Sequence, residues 1–362
     1  MALTQIEKRK LFSLFTSNNN GDTQSLNKTQ KSDILLIDGN NTYMRAYSAN
    51  PSLNADGEHV GGIDGFFRSI GYAIRMVNPT KCIVIFDGQG GSLKRRSIYP
   101  DYKNKRRSKV RLNRIYEDLT DKDMEEQSIL RQMQKVVTMC QRLPITLIAI
   151  DNIEADDTIA YLATEFYNTD DTESVIIMSS DKDFYQLINS KVKIWSPTKQ
   201  RMYGPKEVFD EFGITTQNFI YYKIIQGDAS DNVDGVKGVG LRTIQKILPI
   251  LSQETAYSLD DVIRYISDNA NGKLKAQQSL AENVDIIQRN FRLMQLSDVD
   301  ISTIAKINIQ DCVAKPVSQS NIYEFTALLT KYKMLSVFKS HHTWLRETFS
   351  HLDAYATQQL TN

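Results

Sequence analysis

Five short apolar runs do most to constrain what this chain can fold into: residues 34–37, 82–86, 145–150, 175–178 and 192–195. Each is about as long as a β-strand and rich in β-branched residues. None alternates with polar residues, which is the pattern of strands covered on both faces. Helix-like segments at 62–76, 125–141 and 155–167 separate most of them. Strands alternating with helices imply a parallel α/β sheet. After about residue 205 the strand signal stops, and residues 208–212, 216–226, 241–251, 259–266 and 280–296 read as helices. The expected architecture is an α/β core over 33–205, then a helical part over 206–345 and a tail over 346–362. Residues 16–32 are rich in Asn, Ser and Thr. Residues 1–32 therefore read as a flexible extension, with 1–15 suited to a short amphipathic helix.

A chain of 362 residues can bury a sizeable core. No apolar run approaches the ~18 residues of a membrane span. The apolar stretch near the N-terminus is shorter than a signal-peptide core of roughly 7–15 residues. Cys82, Cys140 and Cys312 are odd in number and form no C-x-x-C pair, which argues against a disulfide framework or a zinc site. A reduced, cytoplasmic setting without a membrane is the expectation. The net charge of +1 carries no information about nucleic acid, but the distribution of charge does. Ten basic residues and a single acid, Asp101, lie between Lys94 and Arg114, whereas acids gather at 154–157, 181–183 and 228–231. Segregation of this kind suits an acidic pocket beside a basic track.

Three of the apolar runs end directly in acids: at Asp38-Gly39, at Asp87-Gly88, and at Ser179-Ser180-Asp181-Lys182-Asp183. A fourth run, ending at Ile150, is followed by Glu154, Asp156 and Asp157, which open a helix. In open parallel sheets, ligands bind outside the carboxyl ends of the strands, so these acids would share one rim. Each piece also has a plain structural reading. Asp-Gly after a strand is usually a turn. Asp151 and Glu154 have the spacing of a capping box, and acids in a first helical turn favour the dipole. Asp228 and Asp231 suit a turn or a cap.

Convergence decides against the plain readings. Two unit charges ~4 Å apart repel by on the order of 4 kcal/mol at an effective dielectric of ~20. A rim of such carboxylates requires cations, and oxygen-only ligands without nearby His or Cys select hard ions such as Mg²⁺ or Mn²⁺. More carboxylates than one ion can use point to two ions, the arrangement suited to phosphodiester cleavage.

The order of motifs resembles the flap endonuclease and 5′-to-3′ exonuclease family, in its bacterial and phage branch. The matching pieces are LLIDGNN (35–41), VIFDG (84–88), YPDYKNKR (99–106), IEADD (153–157), SSDKDFYQL (179–187) and QGDASDNVDGVKGVGLRTIQKIL (226–248). The resemblance spans roughly residues 33–340, and the last two blocks are its most specific part. It implies a PIN-like nuclease core followed by a helix–three-turn–helix subdomain that grips duplex DNA. It implies that Asp38, Asp87, Glu154 and Asp156 form a first metal site. Asp157, Asp181, Asp183, Asp228 and Asp231 would be ligands of, or shells around, a second. Lys103, of the Tyr102-Lys103 pair, would reach the scissile phosphate and act in catalysis with Asp38, Asp156 and Asp181. Residues 94–135 would include an arch over single strands.

The basic track and the glycines supply the expected grip. Lys94, Arg95, Arg96, Arg106 and Arg107 are candidates for phosphate contact, although Lys-Arg runs are more often solvated surface. The stretch Gly235–Leu241 has glycines ahead of a helix, where backbone N–H groups can cradle a phosphate without reading bases. A dinucleotide-binding reading of these glycines fails because no strand precedes them. Lys237, Gly238, Gly240, Arg242, Thr243 and Lys246 are the candidate contacts here, and the resemblance adds a K⁺ ion at this element.

The resulting expectation is a monomeric 5′ nuclease with two Mg²⁺ or Mn²⁺ ions. It would act on duplex DNA carrying a 5′ flap, a nick or an RNA primer, with ribonuclease H activity as a specific case and a single-strand binding protein as a partner. Competing readings are a PIN-class single-stranded ribonuclease and a structure-specific DNA-binding protein without catalysis. The glycine block argues against the first, and the complete acid set against the second. A haloacid-type phosphatase would need Asp-x-Asp, and this chain has Asp38 and Asn40.

Overall fold

The computed structural model describes residues 32–104 and 122–360. Arg106 and Arg107, the extension up to residue 31 and much of the expected arch lie outside the described residues. The first apolar run becomes β1 (Ser32–Asp38), with β2 (Lys81–Asp87) on one side and β4 (Thr172–Met178) on the other, both parallel to it. β3 (Thr146–Ile150) extends the sheet beyond β2, and β5 (Val192–Ser196) extends it beyond β4. A three-residue strand, β6 (Arg201–Tyr203), adds an antiparallel edge that the sequence pattern does not reveal. The full order is β3-β2-β1-β4-β5-β6. The chain winds from β1 outward through β3, then returns to β4 on the opposite side of β1. The topological switch therefore falls between β1 and β4, where the crevice of such sheets receives ligands.

The unpatterned apolar runs are explained by two cores. Leu35, Ile37, Val84, Phe86, Ile176 and Met178 face one cluster with Tyr43, Phe66, Phe67, Phe325 and Phe349. Their strand neighbours Ile34, Leu36, Ile83, Ile85, Val175 and Ile177 face another, with Ile159, Phe184, Phe219, Ile224 and Ile287. Alternate side chains leave a strand on opposite faces, so a strand covered twice is apolar throughout. The first cluster lies under α1 (Gly39–Ala49) and α2 (Gly61–Val77), and includes residues of α4 (Lys122–Cys140). The short α3 (Leu93–Ile98) lies between β2 and α4 in sequence. The second cluster includes α5 (Ala155–Tyr161), followed by a π-helical turn (Leu162–Phe166).

That second cluster runs on into the helices beyond residue 205, so sheet and helical part share one core. Here the helices are α6 (Pro205–Phe212), α7 (Phe219–Gln226), α8 (Leu241–Ile247), α9 (Leu259–Asp268), α10 (Lys275–Glu282) and α11 (Val284–Met294). The helix expected over 241–251 breaks at Leu248, because Pro249 has no N–H to continue it and starts a 3₁₀ turn instead. The one expected over 280–296 is two helices, parted at Asn283. The strand signal does not stop entirely. A two-residue hairpin, β7 (Gly227–Asp228) with β8 (Val233–Asp234), follows α7. Three more helices follow among the described residues: α12 (Thr303–Ala314), α13 (Ile322–Lys331) and α14 (His341–Leu360). Phe349, Leu352 and Ala356 of α14 are buried, so the segment beyond residue 345 contributes to the core.

Candidate active site

The acids meet at the carboxyl edge of the sheet because four strands deliver them there. Asp38 is both the last residue of β1 and the N-cap of α1, accepting from the Asn41 backbone N–H at 2.9 Å. Its other oxygen accepts from Ser179 Oγ at 2.9 Å, which ties β1 to the end of β4. Asp87 closes β2 and accepts from the Ala155 N–H at 2.8 Å and from the Asn40 side-chain amide. Asp181 caps the 3₁₀ turn Lys182–Leu187, accepting from the Asp183 N–H at 2.9 Å. Glu154 is the N-cap residue of α5, with Asp156 and Asp157 in its first turn.

Asp38, Asp87, Asp156 and Asp181 line one cleft of about 1250 Å³, together with Lys103. Asp156 also lines a narrower pocket with Asp183, Asp228 and Asp231, so it stands between two groups of acids. This grouping puts Asp181 beside the first set, whereas the family resemblance assigns it to the second. The β7–β8 hairpin supplies Asp228 and Asp231. Gly227, at φ +75°, and Gly235 make it possible, since a Cβ on Gly235 would lie 2.2 Å from the Gln226 carbonyl oxygen.

Electrostatics divide the acids. Burial, with Asp181 and Asp87 nearby, pushes the Asp38 carboxyl up to about 7. Burial and the charges of Asp38 and Asp181 raise Asp156 as well. Asp183 rises to about 7, again through burial and Asp181, although Lys223 opposes the shift. Glu154 behaves differently: burial would raise it, but Lys103 and Arg95 hold it below the usual carboxylate range. Lys103 Nζ donates to Glu154 Oε1 at 2.5 Å, and Arg95 donates to the other oxygen. Tyr102 OH lies 3.2 Å from Glu154 Oε2 and 3.1 Å from Asp231 Oδ2.

Arg95 is turned into the acid rim. Its guanidinium is buried, donating to both oxygens of Asp157 at 2.9 and 2.7 Å and to the Leu293 carbonyl at 2.8 Å. It is a built-in counter-charge to Glu154 and Asp157. Lys94 is exposed and paired with Asp300 at 2.6 Å, and Arg96 donates to the Tyr102 carbonyl at 3.3 Å. Lys237, Gly238, Gly240, Arg242 and Lys246 are exposed on one hairpin-and-helix segment, with Thr243 half-buried beside them. Gly240 caps α8, and a Cβ on Gly238 or Gly240 would meet nothing within 4 Å.

Two further residues join the site. Lys223 of α7 bridges Asp183 at 2.8 Å and Asp228 at 3.3 Å. Its one signal in the sequence is a lone cation in an otherwise apolar helix. Arg45 of α1 lines the cleft beside Asp38, and its Nη1 is buried without a hydrogen-bond partner among the described residues. Burial lowers its pKa, against the pull of Asp38. Among the described residues, no three acid, histidine or cysteine side chains close tightly enough to grip a metal ion as they stand. The donors nevertheless suit one: all are oxygens, and the raised Asp38, Asp156 and Asp183 carboxyls mark a shortage of positive charge.

A family model described as the 5′-3′ exonuclease, N-terminal resolvase-like domain matches residues 33–213. The chain belongs to the 5′-3′ exonuclease family. A 5′-3′ exonuclease of Aquifex aeolicus is 31% identical over 216 residues, covering 59% of this chain and 68% of that protein. A 5′-3′ exonuclease of Buchnera aphidicola subsp. Acyrthosiphon pisum is 24% identical over 303 residues, covering 83% of this chain and 97% of that one. DNA polymerase I of Bacillus subtilis matches over 252 residues at 29% identity, but only across 26% of its own length. Among solved structures, the bacteriophage T5 flap endonuclease in complex with DNA and metal ions has a TM-score of 0.59 at 21% identity, covering 83% of this chain and 99% of that one. The T5 5′-exonuclease with bound zinc gives 0.58, also at 21%, covering 84% of this chain and 99% of that one. At that identity the likeness is one of fold, and it supports the PIN-like core with its helical extension.

Proposed function

We propose that this 5′-3′ exonuclease hydrolyses phosphodiester bonds at 5′ ends, flaps or RNA primers on duplex DNA, with two Mg²⁺ or Mn²⁺ ions held along the carboxylate rim. The observation that carries the reading is the delivery of acids from four strand ends to one cleft, with Lys103 among them, and of the acids of a glycine-dependent hairpin to an adjoining pocket that shares Asp156. Asp38, Asp87, Asp156 and Asp181 are the residues to hold one ion, and Asp183, Asp228 and Asp231 the other. Divalent ions bound there would supply a water of lowered pKa and neutralise charge on the leaving oxygen.

The chain's own groups do the rest. Lys103 orients the scissile phosphate and stabilises its developing charge, with Glu154 and Tyr102 fixing the ammonium. Arg45, half-buried in the cleft wall with its Nη1 unpartnered among the described residues, is placed to take a phosphate of the strand in the cleft. The exposed segment from Lys237 to Lys246 grips the duplex backbone, which leaves room for any base sequence. The cytoplasmic setting belongs to the same proposal. The test is digestion of end-labelled nick, 5′-flap and RNA–DNA substrates with Mg²⁺ and with EDTA. Metal-dependent release of short products from the 5′ end is expected. Equal cutting in EDTA, or no cutting of any substrate, overturns the reading.

A further inference from the structure

The cleft does not end at the carboxylates. Gly65 and Ser69 of α2 form part of its wall, as does Thr198 from the turn after β5. Along α2, residues 65, 69, 72 and 76 fall on one stripe, because three and four residues apart share a helix face. The stripe therefore leads from the cleft to Tyr72, about 10 Å along the axis from Gly65. Tyr72 is 51% exposed, an unusual state for a large aromatic side chain whose helix neighbours Ile70, Ala73 and Ile74 are fully buried. Its ring stacks on Trp195, with centroids 5.6 Å apart and planes inclined by 25°. Trp195 is only 5% exposed, held in β5 between Met178 of β4 and Met202 of β6. Lys193, two residues earlier on the same strand, points to the same face and is exposed.

We propose that Tyr72 is a stacking platform for an unpaired base of the nucleic acid that lies in the cleft. An aromatic ring backed by a rigid, buried indole presents a flat, pre-positioned surface, and ordering it for binding costs little further entropy. Base–aromatic stacking accepts every base, as a nuclease that reads structure and not sequence requires. The cation at Lys193 supplies the charge that a phosphate beside the stacked base calls for. Ser69 and Thr198, which line the cleft, lie three residues along the chain from Tyr72 and Trp195 respectively.

This inference rests on the nuclease reading above, and the experiment separates the two. Affinities are measured with the full chain in EDTA for duplexes carrying an unpaired 5′ arm or an unpaired template gap. Each substrate is made once with normal nucleotides and once with abasic ones in the unpaired stretch. For the unaltered protein, removing the bases from the contacted stretch is expected to weaken Kd about ten-fold. In Tyr72→Leu the same removal has no effect, and in Tyr72→Phe it has the full effect. Whichever stretch responds identifies the strand. If abasic and normal substrates bind alike in the unaltered protein, or if Tyr72→Leu keeps the ten-fold difference, the platform does not exist. Thermal unfolding of each variant guards against misfolding, and should the Leu variant be unstable, Tyr72→Gln, whose flat amide is no aromatic ring, is expected to lose the ten-fold difference in its place. Failure of the nuclease reading looks different: the unaltered protein then cuts none of the labelled substrates in Mg²⁺.

Discussion

Lys103 adopts a left-handed backbone, at φ +58°, which costs a residue with a side chain on the order of 1 kcal/mol. The geometry persists because both ends of the residue are tied: its N–H donates to the Asp231 carbonyl at 2.8 Å and its ammonium to Glu154. A cation held this firmly at the edge of the acids is suited to a transition state more than to general affinity. Lys103→Ala is therefore expected to lower the single-turnover rate by ~10²–10³ while changing Kd much less. A variant that binds poorly but cuts at a near-normal rate would reduce Lys103 to an ordinary phosphate contact. Lys223 has the other task. It neutralises Asp183 and Asp228 within the protein, and removing one partner of a buried ion pair costs about 3–5 kcal/mol. In EDTA, Lys223→Met should lose several degrees of Tm, and Mg²⁺ should restore most of the loss by replacing the missing charge. A loss unaffected by metal would mean that Lys223 acts through packing alone.

At the scale of elements, the hairpin that carries Asp228 and Asp231 depends on glycine for want of space. Gly235→Ala would drive its Cβ into the backbone of Gln226, so it should destabilise the fold by a few kcal/mol and abolish cutting together. Gly240→Ala meets open space and should leave Tm within about a degree while weakening duplex affinity. If both variants unfold equally, Gly240 has a structural role that the open space around it does not reveal. The two glycines look alike in sequence; only the structure separates them. The strands were legible because double coverage makes them apolar throughout, and the acids were legible because they end those runs. The helix after Asp38 was not, since Asp-Gly serves a turn and an N-cap equally well. Strands of two or three residues, such as β6, β7 and β8, are too short to show a period. The inward pairing of Arg95 and the part played by Lys223 were not legible because each takes its meaning from partners on other elements, Glu154 and Asp157 for Arg95 and Asp183 for Lys223, and Arg45 was missed because only its place in the folded cleft near Asp38 marks it.

For the molecule as a whole, the acid rim sets a link between pH, metal and stability whose sign differs from ordinary acid denaturation. Asp38 and Asp183, driven chiefly by burial, hold their protons up to about 7, against a usual value of 3.8. Between those values the folded chain keeps protons that the unfolded chain has released. Stability must then fall as pH rises through this window, by at most about 1.4 kcal/mol per pH unit for each group, and level off above it. Glu154 and Asp228, whose carboxyls are held low by Lys103 and Lys223, contribute in the opposite sense. Their stabilisation is present above the unfolded carboxylate range and disappears only as pH drops through their folded values. In EDTA the protein should therefore be most stable in mildly acidic solution, with Tm declining from about pH 5 to pH 8. If the proposed sites hold cations, these would bind the deprotonated rim, so the rise in Tm on adding Mg²⁺ should be larger at pH 8 than at pH 5.5. The double variant Asp38→Asn, Asp183→Asn removes two of the three raised carboxyls, leaving Asp156, and should reduce the slope of the EDTA profile and shrink the Mg²⁺ response together. Thermal unfolding of both proteins across this range, with and without metal, measures all three effects. A metal-free Tm that instead climbs steadily from pH 5 to pH 8 would show that these carboxyls ionise freely in the folded protein, and the charge shortage inferred for the rim would be wrong.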